Sequence, residues 1–255
     1  HAGAQVLINT TPVGMYPHNG ASPVSLDAFP QLTGVLDVVF NPLRTALILA
    51  AEERGLPCAG GLAMLVAQAR RASELFTGSP IPDGRTEEVL RELTGQVRNV
   101  VLIGMPGCGK SAVGRELARR MGRPFADLDK LIEEQAGRTI PEIFAQEGEA
   151  AFRSLESQVV REAGRETGRV VSTGGGVVTR QENRAPLRQN GVIVHLTRDL
   201  SLLSKKGRPV SQGTDLGELW AQRAPLYRAF ADITVENSGT IQETAGKIEK
   251  ELNAL

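Results

Sequence analysis

Val100-Val101-Leu102-Ile103 runs directly into Gly104-Met105-Pro106-Gly107-Cys108-Gly109-Lys110-Ser111, and a helical pattern follows from Ala112 to Met121. No other stretch of the 255 residues restricts the fold as strongly. A buried strand, a Gly-x-x-x-x-Gly-Lys-Ser loop and a helix, in that order, are what a phosphate-binding loop requires. Glycines admit φ > 0, so the backbone can curl around an anion without Cβ clashes. The curled backbone turns several N–H groups inward, and the helix adds its positive N-terminal end. A lysine at position 110 can reach β- and γ-phosphates, and a hydroxyl at Ser111 can ligate Mg²⁺. The competing reading, a glycine-rich turn after a buried strand, leaves Gly-Lys-Ser and both flanks unexplained.

Around this loop five strand patterns recur with helices between them: Asn99–Ile103, Pro124–Asp129, Arg169–Thr173, Val192–Leu196 and Ile233–Glu236. The intervening segments are long enough for right-handed βαβ crossovers. The expected fold is α/β, an open five-stranded parallel sheet flanked by helices, with ligands at the carboxyl ends of the strands.

Ahead of it lies a smaller α/β segment. Gln5 to Asn9 and Gly34 to Phe40 read as strands, Thr45 to Arg54 as a helix closed by Gly55, and Leu62 to Phe76 as an amphipathic helix. Two strands are too little sheet for an independent domain, so the segment reads as a partial Rossmann-like piece. Thr77 to Arg85 combines Pro, Gly and Ser and marks a boundary, and Thr86 to Leu93 reads as a short polar helix within the linker. The expected organisation is therefore residues 1–78, a linker over 79–96, and a second domain over 97–255.

Composition bounds the rest. A formal net charge of zero gives no sign of nucleic acid or an anionic membrane surface as partner. No apolar run approaches the ~20 residues of a membrane span. Cys58 and Cys108 are far apart without metal-type spacing, which suits a reduced, cytoplasmic protein. Residue 1 is His and not Met, so the start reads as cut or incomplete.

Several residues could carry chemistry. Asp127 and Asp129, read as i and i+2 at a strand end, would share a side and suit a metal and a hydroxyl substrate; the alternative is a helix cap and one solvated acid. Gly174, Gly175 and Gly176 follow the third strand and would let a ligand approach the backbone. Lys205-Lys206-Gly207-Arg208-Pro209 reads as a flap over phosphates or as a solvated basic turn. Arg153 alone is an ordinary surface arginine. Arg223 lies late in a helix that Pro225 should bend or end, aiming the guanidinium inward. Cys108 reads as a small residue in a tight loop, His195 as a core histidine, and Trp220 as packing on a helix face.

The ordered set Gly-Met-Pro-Gly-Cys-Gly-Lys-Ser, Asp-Leu-Asp, Gly-Glu-Ala-Ala-Phe-Arg-x-x-Glu, Ser-Thr-Gly-Gly-Gly, Gly-Arg-Pro and Arg-Ala-Pro-Leu-Tyr closely resembles shikimate kinase from about Val97 to Leu255. The resemblance implies phosphoryl transfer from ATP to the 3-hydroxyl of shikimate, a step of chorismate and aromatic amino acid biosynthesis. It places Gly107, Cys108, Gly109, Lys110, Ser111 and Ala112 at the nucleotide, with Ser111 and Asp127 serving Mg²⁺. It gives Asp129 the shikimate hydroxyls and help with deprotonation, and gives Arg153 and Arg223 the carboxylate. The Gly174–Gly176 backbone would lie beside the ring, and Arg208 would be the lid arginine. The lid here looks short, with Lys205-Lys206 in place of an arginine and Val210-Ser211 in place of a leucine pair. An adenine-side arginine of some relatives is also missing from Asn237-Ser238-Gly239-Thr240.

Residues 1–78 resemble the C-terminal part of shikimate dehydrogenase through Ile8-Asn-Thr-Thr-Pro-Val-Gly-Met15, Asp37-Val-Val-Phe-Asn-Pro42 and Gly61-Leu-Ala-Met-Leu-Val-Ala-Gln68. By that resemblance Val38 and Gly61 would lie by the nicotinamide of NADP and Gln68 would contact shikimate, while Phe40 replaces a substrate-contacting tyrosine of many relatives. No Gly-x-Gly-x-x-Gly precedes the kinase loop, and the family's catalytic lysine and aspartate belong to a domain that would precede His1. Kinase activity without NADP-linked reduction is therefore expected. The first segment should leave a sheet edge and apolar surface for a missing half or a second copy. Two other readings compete: a kinase for another hydroxylated acid such as gluconate, and a non-catalytic nucleotide-binding regulator. Paired Arg153 and Arg223 argue against the first, and Lys110, Asp127 and Asp129 against the second.

Overall fold

The computed structural model describes residues 1–203 and 215–254. The chain divides into two compact units, His1–Arg98 and Asn99–Leu255.

In the first unit, strands β1 (Val6–Asn9), β2 (Gly34–Asp37) and β3 (Cys58–Ala59) form a parallel sheet in that order, with Val6 opposite Gly34 and Asn9 opposite Asp37. Helix α1 (Ala46–Glu53) crosses between β2 and β3. Its first turn is capped by Thr45, whose hydroxyl accepts from the Ile48 N–H at 3.3 Å. Leu47, Ile48 and Ala51 of α1 pack on Leu26, Leu32 and Val35 as the unit's core. Helix α2 (Gly61–Thr77) ends on Gly78 at φ 68°, a left-handed cap that glycine accepts without strain. Helix α3 (Asp83–Val97) then packs back on α2.

Two expectations are corrected here. The sheet has a third strand, β3, too short to show alternation in the sequence. Residues 79–96 are not simply a linker, because α3 runs through them and belongs to the first unit. The i, i+4 pair Arg70–Glu74 and the bond from the Ile81 N–H to Glu74 tie this turn to α2.

The second unit holds β4 (Asn99–Ile103), α4 (Lys110–Met121), β5 (Phe125–Asp127), α5 (Leu128–Ala136), α6 (Ile140–Arg165), β6 (Val170–Ser172), α7 (Arg184–Arg188), β7 (Gly191–Thr197), α8 (Leu216–Phe230), β8 (Ile233–Glu236) and α9 (Ile241–Asn253). Its five strands are all parallel in the order β5-β6-β4-β7-β8. Every residue of β4 is buried, as a central strand covered on both faces must be. The chain leaves β4 toward one edge, returns through β6, and crosses to β7 and β8. The carboxyl ends around β4 are thus where the winding reverses, the place open α/β sheets bind ligands.

Local chemistry shapes these elements. The capping box of Thr139 and Glu142 starts α6, with Pro141 in its first turn. Gly148, at φ 79° and ψ 178°, breaks α6 into two helical stretches. Pro225 neither ends nor visibly interrupts α8, which continues to Phe230. It removes one N–H bond, and the burial of Ala224, Tyr227 and Phe230 holds the helix together around it. Asp127 is the last residue of β5 and the N-cap position of α5, and Asp129 is already inside the helix. The strand pattern therefore ends two residues earlier than the sequence suggested, because Leu128 turns into the core with Ile132 as the buried side of α5.

Candidate active site

At the carboxyl ends of β4, β5 and β6 lies a cavity of about 550 Å³. The loop from Gly104 to Gly109 forms one wall, with Gly104, Gly107 and Gly109 at φ of 144°, 85° and 102°. These values explain the glycines directly, since other residues rarely adopt them. Lys110 is buried and its Nζ donates to the Gly104 and Met105 carbonyls at 2.9 and 3.0 Å. Two of the three ammonium hydrogens thereby fix the head of the side chain inside the loop. The Ser111 hydroxyl lies 3.2 Å from that of Ser172 at the end of β6. Asp127 faces the same cavity and stands 4.0 Å from Arg115, one helical turn after Ser111.

The opposite wall carries buried charge. Arg153 Nη1 donates to Glu156 Oε2 at 2.8 Å, and Nη2 and Nε donate to Glu149 at 3.0 and 3.2 Å. Glu156 is 1% exposed, and its Oε1 has no hydrogen-bond partner among the described residues. Burial pushes this carboxyl above its ordinary range, against the opposing pull of Arg153. Arg223 projects from α8, and its Nη1 donates to the Gly175 carbonyl at 3.1 Å. The same carbonyl accepts from the Tyr227 hydroxyl at 2.5 Å. Tyr227 is wholly buried and stacks on His195 of β7 at 5.0 Å between ring centroids. His195 is buried among apolar neighbours, which lowers its pKa to about 4, with Arg228 and Lys110 adding to the shift.

The glycine triplet has a reason that differs from the expected one. A Cβ on Gly176 would strike the Arg153 guanidinium, one on Gly175 would stand 2.6 Å from Pro106, and one on Gly174 would stand 2.7 Å from Asp129 Oδ1. The protein's own site groups already fill the space that the missing side chains leave.

Gly107, Gly109, Lys110, Ser111, Ala112, Asp127, Asp129, Arg153, Gly174, Gly175, Gly176 and Arg223 all line this one cavity. Cys108 does not: its side chain is fully buried in the hydrophobic core. Arg208 and the Lys205–Pro209 flap lie outside the described residues. Glu156, Arg115, Lys130 and the Phe144–Phe152 pair line the cavity as well; Phe152 and Glu156 stand in the Gly-Glu-Ala-Ala-Phe-Arg-x-x-Glu motif but were given no role, and Arg115, Lys130 and Phe144 lie outside the quoted motifs. Helical spacing marks two of them, since Glu156 is i+3 from Arg153 and Arg115 is i+4 from Ser111. The phenylalanines carry no such signal.

In the first unit, the Gly61 N–H donates to the Val39 carbonyl at 2.9 Å, and a Cβ on Gly61 would overlap the Val38 carbonyl. Gln68 lies seven residues along α2 from Gly61, on the same side of the helix, and is exposed, as is Phe40. No helix among the described residues is long and apolar enough to cross a membrane.

Comparison with known proteins bears on this geometry. A family model described as shikimate kinase matches residues 106–253. A shikimate kinase from Symbiobacterium thermophilum is 40% identical over 166 residues, spanning 60% of this chain and 95% of that protein. The solved shikimate kinase from Acinetobacter baumannii in complex with shikimate superposes with a TM-score of 0.59 at 36% identity, covering 64% of this chain and 97% of that one. A chorismate mutase/shikimate 5-dehydrogenase fusion protein from Clostridium acetobutylicum is 35% identical over 34% of this chain and 32% of its own, with a TM-score of 0.33. The family model spans more than half of the 255 residues, and its matched segment contains Pro106 to Ser111 of the loop together with Asp127, Asp129, Arg153 and Arg223 of the cavity: the chain belongs to the shikimate kinase family.

Proposed function

We propose that the chain transfers the γ-phosphoryl group of ATP to the 3-hydroxyl of shikimate. The observation that carries this reading is the joining of a phosphate loop and two buried arginines in one cavity. A planar guanidinium suits a carboxylate bidentately, and shikimate offers a carboxylate on one side of its ring and hydroxyls on the other. Arg153 and Arg223 would take the carboxylate, with Glu156 and Glu149 holding the first guanidinium and the Gly175 carbonyl the second. Asp129, beside Gly174, would accept hydrogen bonds from the ring hydroxyls and the proton of the attacking one.

The loop amides from Gly107 to Ala112 and the Lys110 ammonium would bind the β- and γ-phosphates and neutralise charge that develops as the phosphoryl group moves. Mg²⁺ fits the donors present: the Ser111 hydroxyl and the Asp127 carboxylate are hard oxygens on one wall, and Mg²⁺ takes one or two such groups together with substrate phosphates. When bound it would neutralise phosphate charge there. Arg208 would act as the lid residue over the phosphates.

A coupled assay of ADP release with and without shikimate tests the reading. ADP release that depends on shikimate is expected, and a rate indifferent to it, or greater with gluconate, would refute it.

Residues 1–78 we read as nicotinamide-side elements of a shikimate dehydrogenase, with residues 97–255 as the kinase domain. Gly61 meets the Val38 and Val39 backbone too closely for any side chain, so the turn after β2 and the start of α2 are held together at the place where the nicotinamide would lie by the dehydrogenase resemblance. Because this chain carries no Gly-x-Gly-x-x-Gly ahead of Gly104, we expect no NADPH-linked reduction of 3-dehydroshikimate. Nicotinamide oxidation above background would overturn that.

A further inference from the structure

We infer that Asn237 sets the direction of the P-loop amide at Gly109 and is thereby a positioning residue for the phosphates of the nucleotide. The inference rests on the kinase reading of the cavity and adds a residue that does not itself line it.

Asn237 follows the last residue of β8 and is 5% exposed. Its own N–H donates to the Thr197 carbonyl at 2.8 Å, which anchors it beside the end of β7. Its Nδ2 donates to the Cys108 carbonyl at 2.7 Å. Its Oδ1 accepts from the Thr244 hydroxyl at 2.9 Å. A carbonyl can only accept, so the amide nitrogen must be the end that faces Cys108. Thr244 is fully buried in α9, and its hydroxyl also approaches the Thr240 carbonyl at 3.0 Å, within the capping box that opens that helix.

The consequence follows from the peptide group. The Cys108 carbonyl and the Gly109 N–H belong to one planar unit, and in a trans peptide they point to opposite sides. Holding the carbonyl toward Asn237 therefore turns the Gly109 N–H away from Asn237. Gly109 itself lines the cavity, and on this inference the N–H turned away from Asn237 is the one offered to a phosphate there. Glycine is required for two reasons. Its φ is 102°, and a Cβ would stand 2.6 Å from Asn237 Nδ2. A loop of glycines can rotate its peptides freely in the absence of such a brace. Asn237 removes that freedom before the nucleotide arrives, which lowers the ordering cost of binding.

The test measures the affinities of wild type, Asn237→Ala and Asn237→Asp for ATP, AMP and shikimate separately. Asn237→Ala should weaken ATP about tenfold, the scale of one lost hydrogen bond to a buried carbonyl. Asn237→Asp sets an oxygen against the carbonyl oxygen and should weaken ATP by more. Shikimate and AMP, which lack phosphates at this amide, should change less than twofold. Thr244→Val removes only the support behind the Asn237 amide and should weaken ATP about threefold, which keeps the inference testable if the Asn237 variants do not fold. Wild-type ATP affinity in Asn237→Ala and Thr244→Val would overturn the inference, as would equal losses for ATP, AMP and shikimate. A wild-type chain that binds no ATP would overturn the kinase reading and this inference together; a wild type that binds ATP confines any failure to Asn237.

Discussion

Both units bury polar side chains, but they use them in opposite ways. In the first, Asp37 accepts from Asn9 Nδ2 and the Val39 N–H at 3.0 Å each and from the Thr45 hydroxyl at 2.7 Å. The network is closed: both carboxylate oxygens are occupied by the protein, and their partners join β1, β2 and the cap of α1. In the second, Glu156 keeps an oxygen without a partner among the described residues, and Lys110 and Arg153 face a cavity. A closed network specifies a fold, whereas an open one holds desolvated charge ready for a ligand that will complete it. The sheets differ in the same sense. All of β4 and six of the seven residues of β7 are buried, while Val6 and Ile8 of β1 and Leu36 of β2 remain exposed.

The sharpest way to break this contrast is to remove a charge from the open network. Lys110→Met keeps the stem and removes the ammonium, and turnover should fall at least ~100-fold with the fold intact by circular dichroism. Near-normal turnover would mean that the cavity is not the reaction site.

A second expectation uses acid. His195 lies buried in the second unit, with its pKa lowered to about 4 from 6.5, whereas His18 in the first is exposed. The unfolded chain takes up a proton below about 6.5 and the folded chain does not until about 4. The stability of the second unit should therefore be full above pH 6.5 and decline as pH falls toward 4, by about 3 kcal/mol in excess of other groups. Urea denaturation of His195→Phe across this window should show a shallower decline. An unchanged acid limb would remove His195 as its cause.

Arg223→Lys retains charge but loses the planar fork. The KM for shikimate should rise about tenfold while that for ATP stays within twofold; equal effects would show that Arg223 does not grip the acid. Asp37→Asn sharpens the comparison from the other side. It leaves an amide nitrogen facing a donor in the closed network and should cost about 1–3 kcal/mol of first-unit stability. Kinase turnover at 25 °C should be unchanged. Loss of turnover matching Lys110→Met would erase the distinction between the two networks.

Much of this was legible in the residues. The P-loop, the parallel sheet and the placing of Asp127 and Asp129 at a strand end are written in motif and period, because strand ends and helix phases are local properties; Arg153 read alone as a surface arginine, and only the family resemblance placed it with Arg223 at the same site. What was not legible depends on contacts distant in sequence. Two-residue β3 has no pattern of its own. The helix α3 looked like a linker because its charged face hides how it packs on α2. Tyr227 meets Gly175 across 52 positions and Asn237 meets Cys108 across 129, and no spacing rule spans such separations. The glycine triplet was read as room for a ligand; only the placed guanidinium of Arg153 shows what claims that room first.

That last feature bears on how the gene can vary. At Gly176 the smallest possible substitution, one methyl group, contends for the same volume as the Arg153 guanidinium. A mutation there would present itself as a defect in handling acids, although the altered residue carries no charge and forms no bond to any. Genetic screens that rank positions by chemical severity would pass over it. The room available at this position is set by the size of an arginine twenty-three residues upstream.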